Sequence, residues 1–388
     1  MARGDKPYRV YRGGRVKGKV PIGRPPSEER RGPDGRPGPS RKRRARAPRR
    51  RRSWGRRLLL AFVLVLVLLT VWAVASYLAV AGGVESANDR LNRRTKAALV
   101  PQQGLLLSRA TNILLVGTDS SGTRARAGNR HSDSLLVLRT DPKRHRLAYL
   151  SILRDLRVEI PGFGTNKVNA AFQFGGAPLA IRTVRQLTGL SIHHIVVVNF
   201  ASFRELIDEL GGVTVDVPKP ITSNRFDCPF ATQAQCARWP GWHFDKGRQH
   251  LDGRRALVYS RIRKNQLDPS ESDATRAARQ QQVLEAIAGR LMSPRTLARL
   301  PFVGGDLFAP ITTDLTTGEF MQLGWVRFRA GRTLHCRLGG DSFGGYILPD
   351  EERFVVLQMV QGRAAPQPPR PGALYGSGCL TGGGLPGG

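Results

Sequence analysis

Short apolar runs that alternate with amphipathic stretches predict an α/β or α+β sandwich, a sheet with helices on its faces. Two further observations complete the expected layout. A stretch of 24 residues without a charge, Leu58 to Ala81, predicts one membrane-spanning helix ahead of the domain. The 57 residues before it carry 22 Lys and Arg against 4 Asp and Glu, are rich in Gly and Pro, and hold too few apolar side chains to fold. The expected order is a disordered basic arm (1–57), a transmembrane helix (58–81), a polar extracytoplasmic spacer (82–110), a globular domain (111–362) and a loose Pro- and Gly-rich tail (363–388).

At about 1.5 Å per residue the apolar run spans about 36 Å, enough to cross a hydrocarbon core of about 30 Å with some tilt. Ala79 to Gly82 also look like a signal cleavage site, but a signal core is shorter, about 7–15 residues, behind a shorter leader. An uncleaved anchor is the expectation. The Arg cluster from Arg41 to Arg57 places the amino terminus in the cytoplasm, so the domain is expected outside. Four cysteines agree with that side. They form no C-x-x-C and have no His at zinc spacing, which speaks against a metal knuckle. Disulfides Cys228–Cys236 and Cys336–Cys379 suit an oxidising compartment, although four cysteines allow three connectivities.

Within the domain, Asn112 to Gly117 is a continuous apolar run, as in a strand buried on both faces. A polar loop (120–132) leads to a second strand, 134–139. Asp141-Pro142-Lys143-Arg144 has turn chemistry, and a third strand runs from Arg146 to Leu153. Helix 177–188, strand 195–198, helix 203–210 and strand 213–217 follow, then helices over 253–260 and 276–291.

The first three strands carry a geometric expectation. In an antiparallel meander, the end of strand one, the start of strand two and the end of strand three share one sheet edge. Asp119, Asp133 and Arg154-Asp155 would then meet there. Taken singly, each Asp would cap a turn. Together, two carboxylates suit Mg²⁺, which completes its shell with water and phosphate oxygens, and an Arg beside them suits phosphate. A second basic set lies downstream. Arg261 and Arg263 flank Ile262 and would share a side in an extended segment. Arg276 and Arg279 are close neighbours in the first turns of a helix, where their mutual repulsion would be relieved by a bound anion. The bland alternative is a solvated basic face. The domain is basic in its own right, since the arm accounts for 18 of the net charge of +33.

These residues fall in a run of motifs: NILLVGTD (112–119), HSDSLLVL (131–138), LSILRDLRVEIPG (150–162), KVNAAFQFGG (167–176), VNFASFRELIDELGGVTVDVP (198–218), KGRQHLDGRRALVYSRIRK (246–264) and DATRAARQQQVL (273–284). In this order and spacing they resemble the LytR–CpsA–Psr (LCP) family of cell-wall ligases, over about two thirds of the chain, with an actinobacterial member expected. The resemblance implies an α/β/α sandwich with a central mixed sheet, and an apolar channel for a polyprenyl chain. It implies that Asp119 and Asp133 serve a Mg²⁺ ion and that Arg154 grips pyrophosphate; Asp133 and Asp155 are the two candidates for the general base. Lys167, Asn169, Arg261, Arg263, Arg279 and Gln281 are the further pyrophosphate contacts it implies, and Arg130 and Arg276 join them by charge and position. Three positions depart from the family's usual pattern: His131 stands where Arg is common, Leu153 where Pro is, and Lys264 where His is. The implied activity moves a glycopolymer phosphate from a polyprenyl-pyrophosphate carrier to peptidoglycan, with pyrophosphatase activity as a side reaction. Two rivals stand beside it: a membrane-anchored regulator, and a lipid-pyrophosphate or glycopolymer binder without turnover. Nucleic acid is not the expected partner. The basic arm has the charge, but no helix-turn-helix pattern and only Tyr8, Tyr11 and Trp54 as aromatics.

Overall fold

The apolar run forms the body of α1 (Trp54–Asp89), a single 36-residue helix in the computed structural model of the chain. The structure describes residues 54–119, 132–226, 228–230 and 232–382, so the expectations for the basic arm up to residue 53 and for Arg130 and His131 lie outside it. Side chains from Leu58 to Leu69 are exposed all round the helix, as a lipid-facing span requires.

The segment expected to be a polar spacer is instead packed against the domain. Val84, Ala87 and Leu91 recur at helical spacing and are buried, α2 (Arg93–Ala98) is capped by the Asn92 side chain, and Leu106 is buried beyond it. The stretch looked polar because the few apolar residues that anchor it are spread among charges.

β1 (Thr111–Thr118), β2 (Ser132–Asp141) and β3 (Arg146–Ile152) form the expected antiparallel meander. A small hairpin, β4 (Arg157–Ile160) and β5 (Gly164–Lys167), leads into α3 (Ala170–Thr188). That helix is broken at Gly175 and Gly176, the latter at φ +62°, a conformation that glycine reaches without strain; the expected helix 177–188 is its second half. β6 (His194–Asn199) returns parallel to β1. Then come α4 (Phe200–Glu209), β7 (Val213–Val217), β8 (Ile221–Thr222), α5 (Gln233–Arg238), β9 (His243–Phe244), β10 (Gly247–Leu251), α6 (Gly253–Arg261), α7 (Asp273–Leu291) and α8 (Pro294–Phe308). β11 (Thr312–Thr313), α9 (Thr317–Arg329), β12 (Arg332–Leu338), β13 (Gly340–Phe343), β14 (Tyr346–Pro349), α10 (Glu352–Gln361) and β15 (Gly378–Thr381) complete the described chain.

The central sheet is mixed, with strand order β11-β6-β1-β2-β3-β12-β15. The tail beyond residue 362 is therefore not loose throughout. β15 pairs with β12, and the Cys336–Cys379 disulfide joins directly opposed residues of the two strands. Composition hid this strand, because Gly and Pro surround only four extended residues. The second disulfide joins Cys228 and Cys236.

Two apolar cores result. One packs α3 and α10 against one sheet face through Leu114, Val116, Ile195, Ile181 and Val360. The other lies among α4, α6, α7, α8 and β7 over the opposite face. Strand alternation sends Leu114 and Val116 to the first core, and Ile113 and Leu115 the other way. What meets that second set is not solid core.

Candidate functional site

Ile113 and Leu115 of β1 and Val196 and Val198 of β6 line an elongated cavity of about 280 Å³ between the sheet and the helices above it. Phe203, Leu206, Leu257, Val283, Leu284 and Ile287 form its far wall, and Leu291, Leu307, Phe308, Phe320 and Leu323 surround its distal end. Along α7 the lining runs from Gln280 to Leu291, about 16 Å at 1.5 Å per residue. The lining is almost wholly apolar until it reaches Asp133, Ser134, Asn199, Ser260, Arg261 and Gln280 at one end.

Beside that end lies a second, charged cavity of about 510 Å³, lined by Asp119, Asp133, Arg154, Asp155, Asn166, Lys167, Asn169, Arg261 and Arg263. Asp133 and Arg261 line both spaces. The meander brings Asp119, Asp133, Arg154 and Asp155 to one edge, where four cationic side chains face three carboxylates. Arg154 is the hub. Its guanidinium lies 3.3 Å from Asp133, 3.5 Å from Asp155 and 3.7 Å from Asp273, with its side chain 16 % exposed. Lys167 pairs with Asp155 at 2.9 Å, and Arg263 approaches Asp133 at 3.8 Å. The Asn169 amide donates to the Arg154 carbonyl, so the β5–α3 corner is tied to the end of β3. Leu153, where the family commonly has Pro, is buried, and its amide donates to the Leu338 carbonyl, a bond that proline cannot make.

Burial, and then the charge of Arg154, holds the Arg263 pKa below the ordinary arginine range. Arg276, buried beside Asp133, is pushed down to about 10, chiefly by burial. Crowded, partly dehydrated cations of this kind bind anions strongly, because the anion replaces hydration already lost.

Four expectations need correction. Arg261 and Arg263 do not alternate on an extended strand: Arg261 ends α6, where a cation complements the helix dipole, and Arg263 follows in a loop. Arg261 stacks on Phe200, its guanidinium carbon 4.3 Å from the ring centre. Arg279 does not reach either cavity. It pairs with Glu271 and donates to the carbonyls of Tyr259 and Ile262, which fixes the end of α6. Gln281 is also turned away, wholly buried against the sheet, where it donates to Ser151 Oγ and the Cys336 carbonyl. The repulsion expected between Arg276 and Arg279 is met inside the protein, since Asp273 lies 2.8 Å from Arg276 and Glu271 takes Arg279.

The α7 residue that does face the junction is Gln280, which lines the apolar cavity and accepts from Ser134 Oγ. It lies one turn from Arg276, a spacing that puts the two on the same face once Arg276 is placed. Asp273, at the start of α7, was also missed as an Arg154 partner. Among the described residues no three His, Cys, Asp or Glu groups gather as a metal cluster. A divalent ion in this cavity would lean on Asp119, Asp133, water and substrate oxygens, a donor set that suits Mg²⁺.

Known proteins share this architecture. The teichoic acid transferase TagV of Bacillus subtilis (strain 168), named as a polyisoprenyl-teichoic acid–peptidoglycan transferase, is 31 % identical over 271 residues, 69 % of this chain and 66 % of its own length. The regulatory protein MsrR of Staphylococcus aureus (strain COL) is 31 % identical over 55 % of this chain and 59 % of its own length. The chain thus spans less than two thirds of the length of these relatives. A solved structure of YwtF (TagT) with bound octaprenyl pyrophosphate lipid has the same fold, with a TM-score of 0.50 and 22 % identity over 68 % of this chain and 93 % of that one. Residues 75–328, well over half of the chain, match one family throughout the meander, both cavities and α7, and the chain belongs to that LytR_cpsA_psr family.

Proposed function

We propose that this protein transfers a glycopolymer phosphate from a polyprenyl-pyrophosphate carrier to a hydroxyl of peptidoglycan, releasing polyprenyl phosphate. One observation carries the reading: an apolar tunnel adjoins a charged cavity, the two sharing Asp133 and Arg261 as lining residues. Only a ligand with a long apolar tail and an anionic head fills both spaces. The name of TagV, a polyisoprenyl-linked donor and a peptidoglycan acceptor, has the same two halves.

In this reading the prenyl chain lies in the tunnel and Arg154, Arg261, Arg263 and Lys167 hold the pyrophosphate. The acceptor oxygen attacks the sugar-linked phosphorus, the bond to the bridging oxygen breaks, and polyprenyl phosphate leaves. The acceptor proton passes to a carboxylate of the Asp133–Asp155 pair. Fixed cations stabilise the charge that gathers on the bridging oxygen, so positioning and electrostatics supply most of the rate. Asp119 and Asp133 would hold a Mg²⁺ ion, which neutralises phosphate charge when bound. The Arg cluster before α1 keeps the amino terminus in the cytoplasm and the catalytic domain outside. The name of MsrR and the basic arm favour regulation instead, but a regulator has no need of a tunnel joined to a charged cavity.

The test uses the full chain in detergent micelles with a labelled prenyl-pyrophosphate-linked glycan, peptidoglycan fragments and Mg²⁺. The expected result is label on peptidoglycan with release of prenyl phosphate, lost on chelation. Binding of the donor with no product sinks the transfer reading and leaves a binder; no binding sinks both.

A further inference from the structure

Two apolar stripes run along α9. Phe320 and Leu323 face into the tunnel. Met321, Trp325 and Phe328, at i, i+4 and i+7, lie on another side and are 61, 54 and 70 % exposed. α8 adds Phe302, 83 % exposed. The two helices are joined by packing of Phe308 on Phe320, ring centres 4.8 Å apart, and by Met292, just before α8, against Gly324. Exposed Leu105 and Leu107 flank Leu106, whose amide donates to the Gln322 side chain of α9. A helix apolar on both its inner and outer sides needs something apolar outside.

α1 identifies what that is. Trp72 Nε1 donates to the Ala298 carbonyl of α8 at 3.2 Å. Higher up, a Cβ on Gly83 would lie 2.5 Å from the Gly305 carbonyl oxygen, and one on Gly304 would lie 2.9 Å from Val80, so the two helices touch backbone to backbone. The uncharged run extends from Leu58 to Val84. A hydrocarbon core of about 30 Å takes about 20 residues, and wherever it is placed on that run Trp72 falls within it. Ala298, bonded to Trp72, sits at the same depth. Arg295 and Arg299 flank Ala298 and so lie near its depth, where their long stems carry the guanidinium toward the headgroups, and exposed Arg329 ends α9.

We propose that the outer sides of α8 and α9, with Leu105 and Leu107, are embedded in the membrane that α1 crosses, in the leaflet on the domain side. The partner is the bilayer itself. The distal, apolar end of the tunnel then lies against the acyl chains with α9 as the wall between them. This rests on α1 spanning a membrane and not on what the site transfers.

The experiment places the full chain in vesicles of phosphatidylglycerol and phosphatidylethanolamine that carry a lipid with a diazirine in its acyl chain. After illumination, label is mapped residue by residue. Phe302, Met321, Trp325 and Phe328 are expected to carry label together with span residues such as Leu64, while Phe343 of β13 and Phe354 of α10, comparably exposed, carry none. Label confined to α1 overturns the proposal. So does label on Phe320 and Leu323 without Met321, Trp325 and Phe328, which would mean lipid in the tunnel and water on the outer face. A Phe302→Asp, Phe328→Asp variant, both at exposed positions that leave the core intact, is expected to lose label from Met321 and Trp325; retention there also overturns it.

Discussion

Arg154→Ala tests the hub of the charged cavity. The side chain sits 3.3–3.7 Å from three carboxylates, so its loss removes one positive charge from their midst. Each carboxylate keeps a second partner: Arg263 for Asp133, Lys167 for Asp155 and Arg276 for Asp273. The stability cost therefore falls between that of an exposed pair, about 0–1 kcal/mol, and that of a buried pair broken outright, about 3–5 kcal/mol; about 1–2 kcal/mol is expected. Catalysis should suffer more. Removal of one preorganised donor from a developing charge typically costs about 10²–10³ in kcat, or about 3–4 kcal/mol. Arg154→Lys keeps the charge but not the planar fork that reaches several oxygens at once, so it should fall between wild type and Ala. The assay is transfer from the prenyl-pyrophosphate donor, with kcat and KM separated, alongside denaturant unfolding of the same samples. An Ala variant that is folded and turns over within about threefold of wild type, about 0.65 kcal/mol, refutes the assignment.

Three other outcomes follow from the same geometry. Val198→Phe narrows the tunnel beside its mouth, so KM should rise for a long-chain donor while a short-chain analogue reacts as before; equal effects on both would deny that the tunnel holds the chain. Gln281→Ala strips partners from Ser151 Oγ, the Cys336 carbonyl and His335, and should lower the denaturation free energy by about 1–3 kcal/mol while donor KM stays unchanged, as befits a residue outside the site. His193 accepts the Asn112 amide through Nδ1, and burial first, then neighbouring positive charge, depresses its pKa. Its unfolded form, with a pKa of about 6.5, binds the proton more readily, so stability is full above that pH and falls as pH drops through the window down to the folded pKa. Unfolding midpoints at neutral and mildly acidic pH should separate for wild type and converge for His193→Gln.

Much of the site was legible because it depends on local order. Turn chemistry and apolar runs specify a meander, and a meander brings Asp119, Asp133 and Arg154 to one edge whatever packs around it. The same local logic misplaced the basic residues of α7. Arg276, Arg279, Gln280 and Gln281 follow one another closely, yet the first and third point toward Asp133 and Ser134 at the start of β2 while the second and fourth hold the fold together. Which side of a helix meets a sheet depends on residues far away in the chain, here Ser151 and Cys336, and no spacing rule within α7 encodes them.

The spacer and tail failed for a related reason. Val84, Ala87, Leu91 and the four residues of β15 are too few to register as core until the domain offers them a surface. By itself the sequence determined the anchor, the alternation of strands and helices, the edge where carboxylates and Arg154 converge, and the family. Tertiary structure alone decided that the strand faces turned from the first core line a tunnel, and that this tunnel opens on Asp133 and Arg261. Alternation tells which side chains share a face; whether that face meets a packed neighbour or a space depends on how far the opposing helices stand away, and that distance is set by contacts between distant parts of the chain.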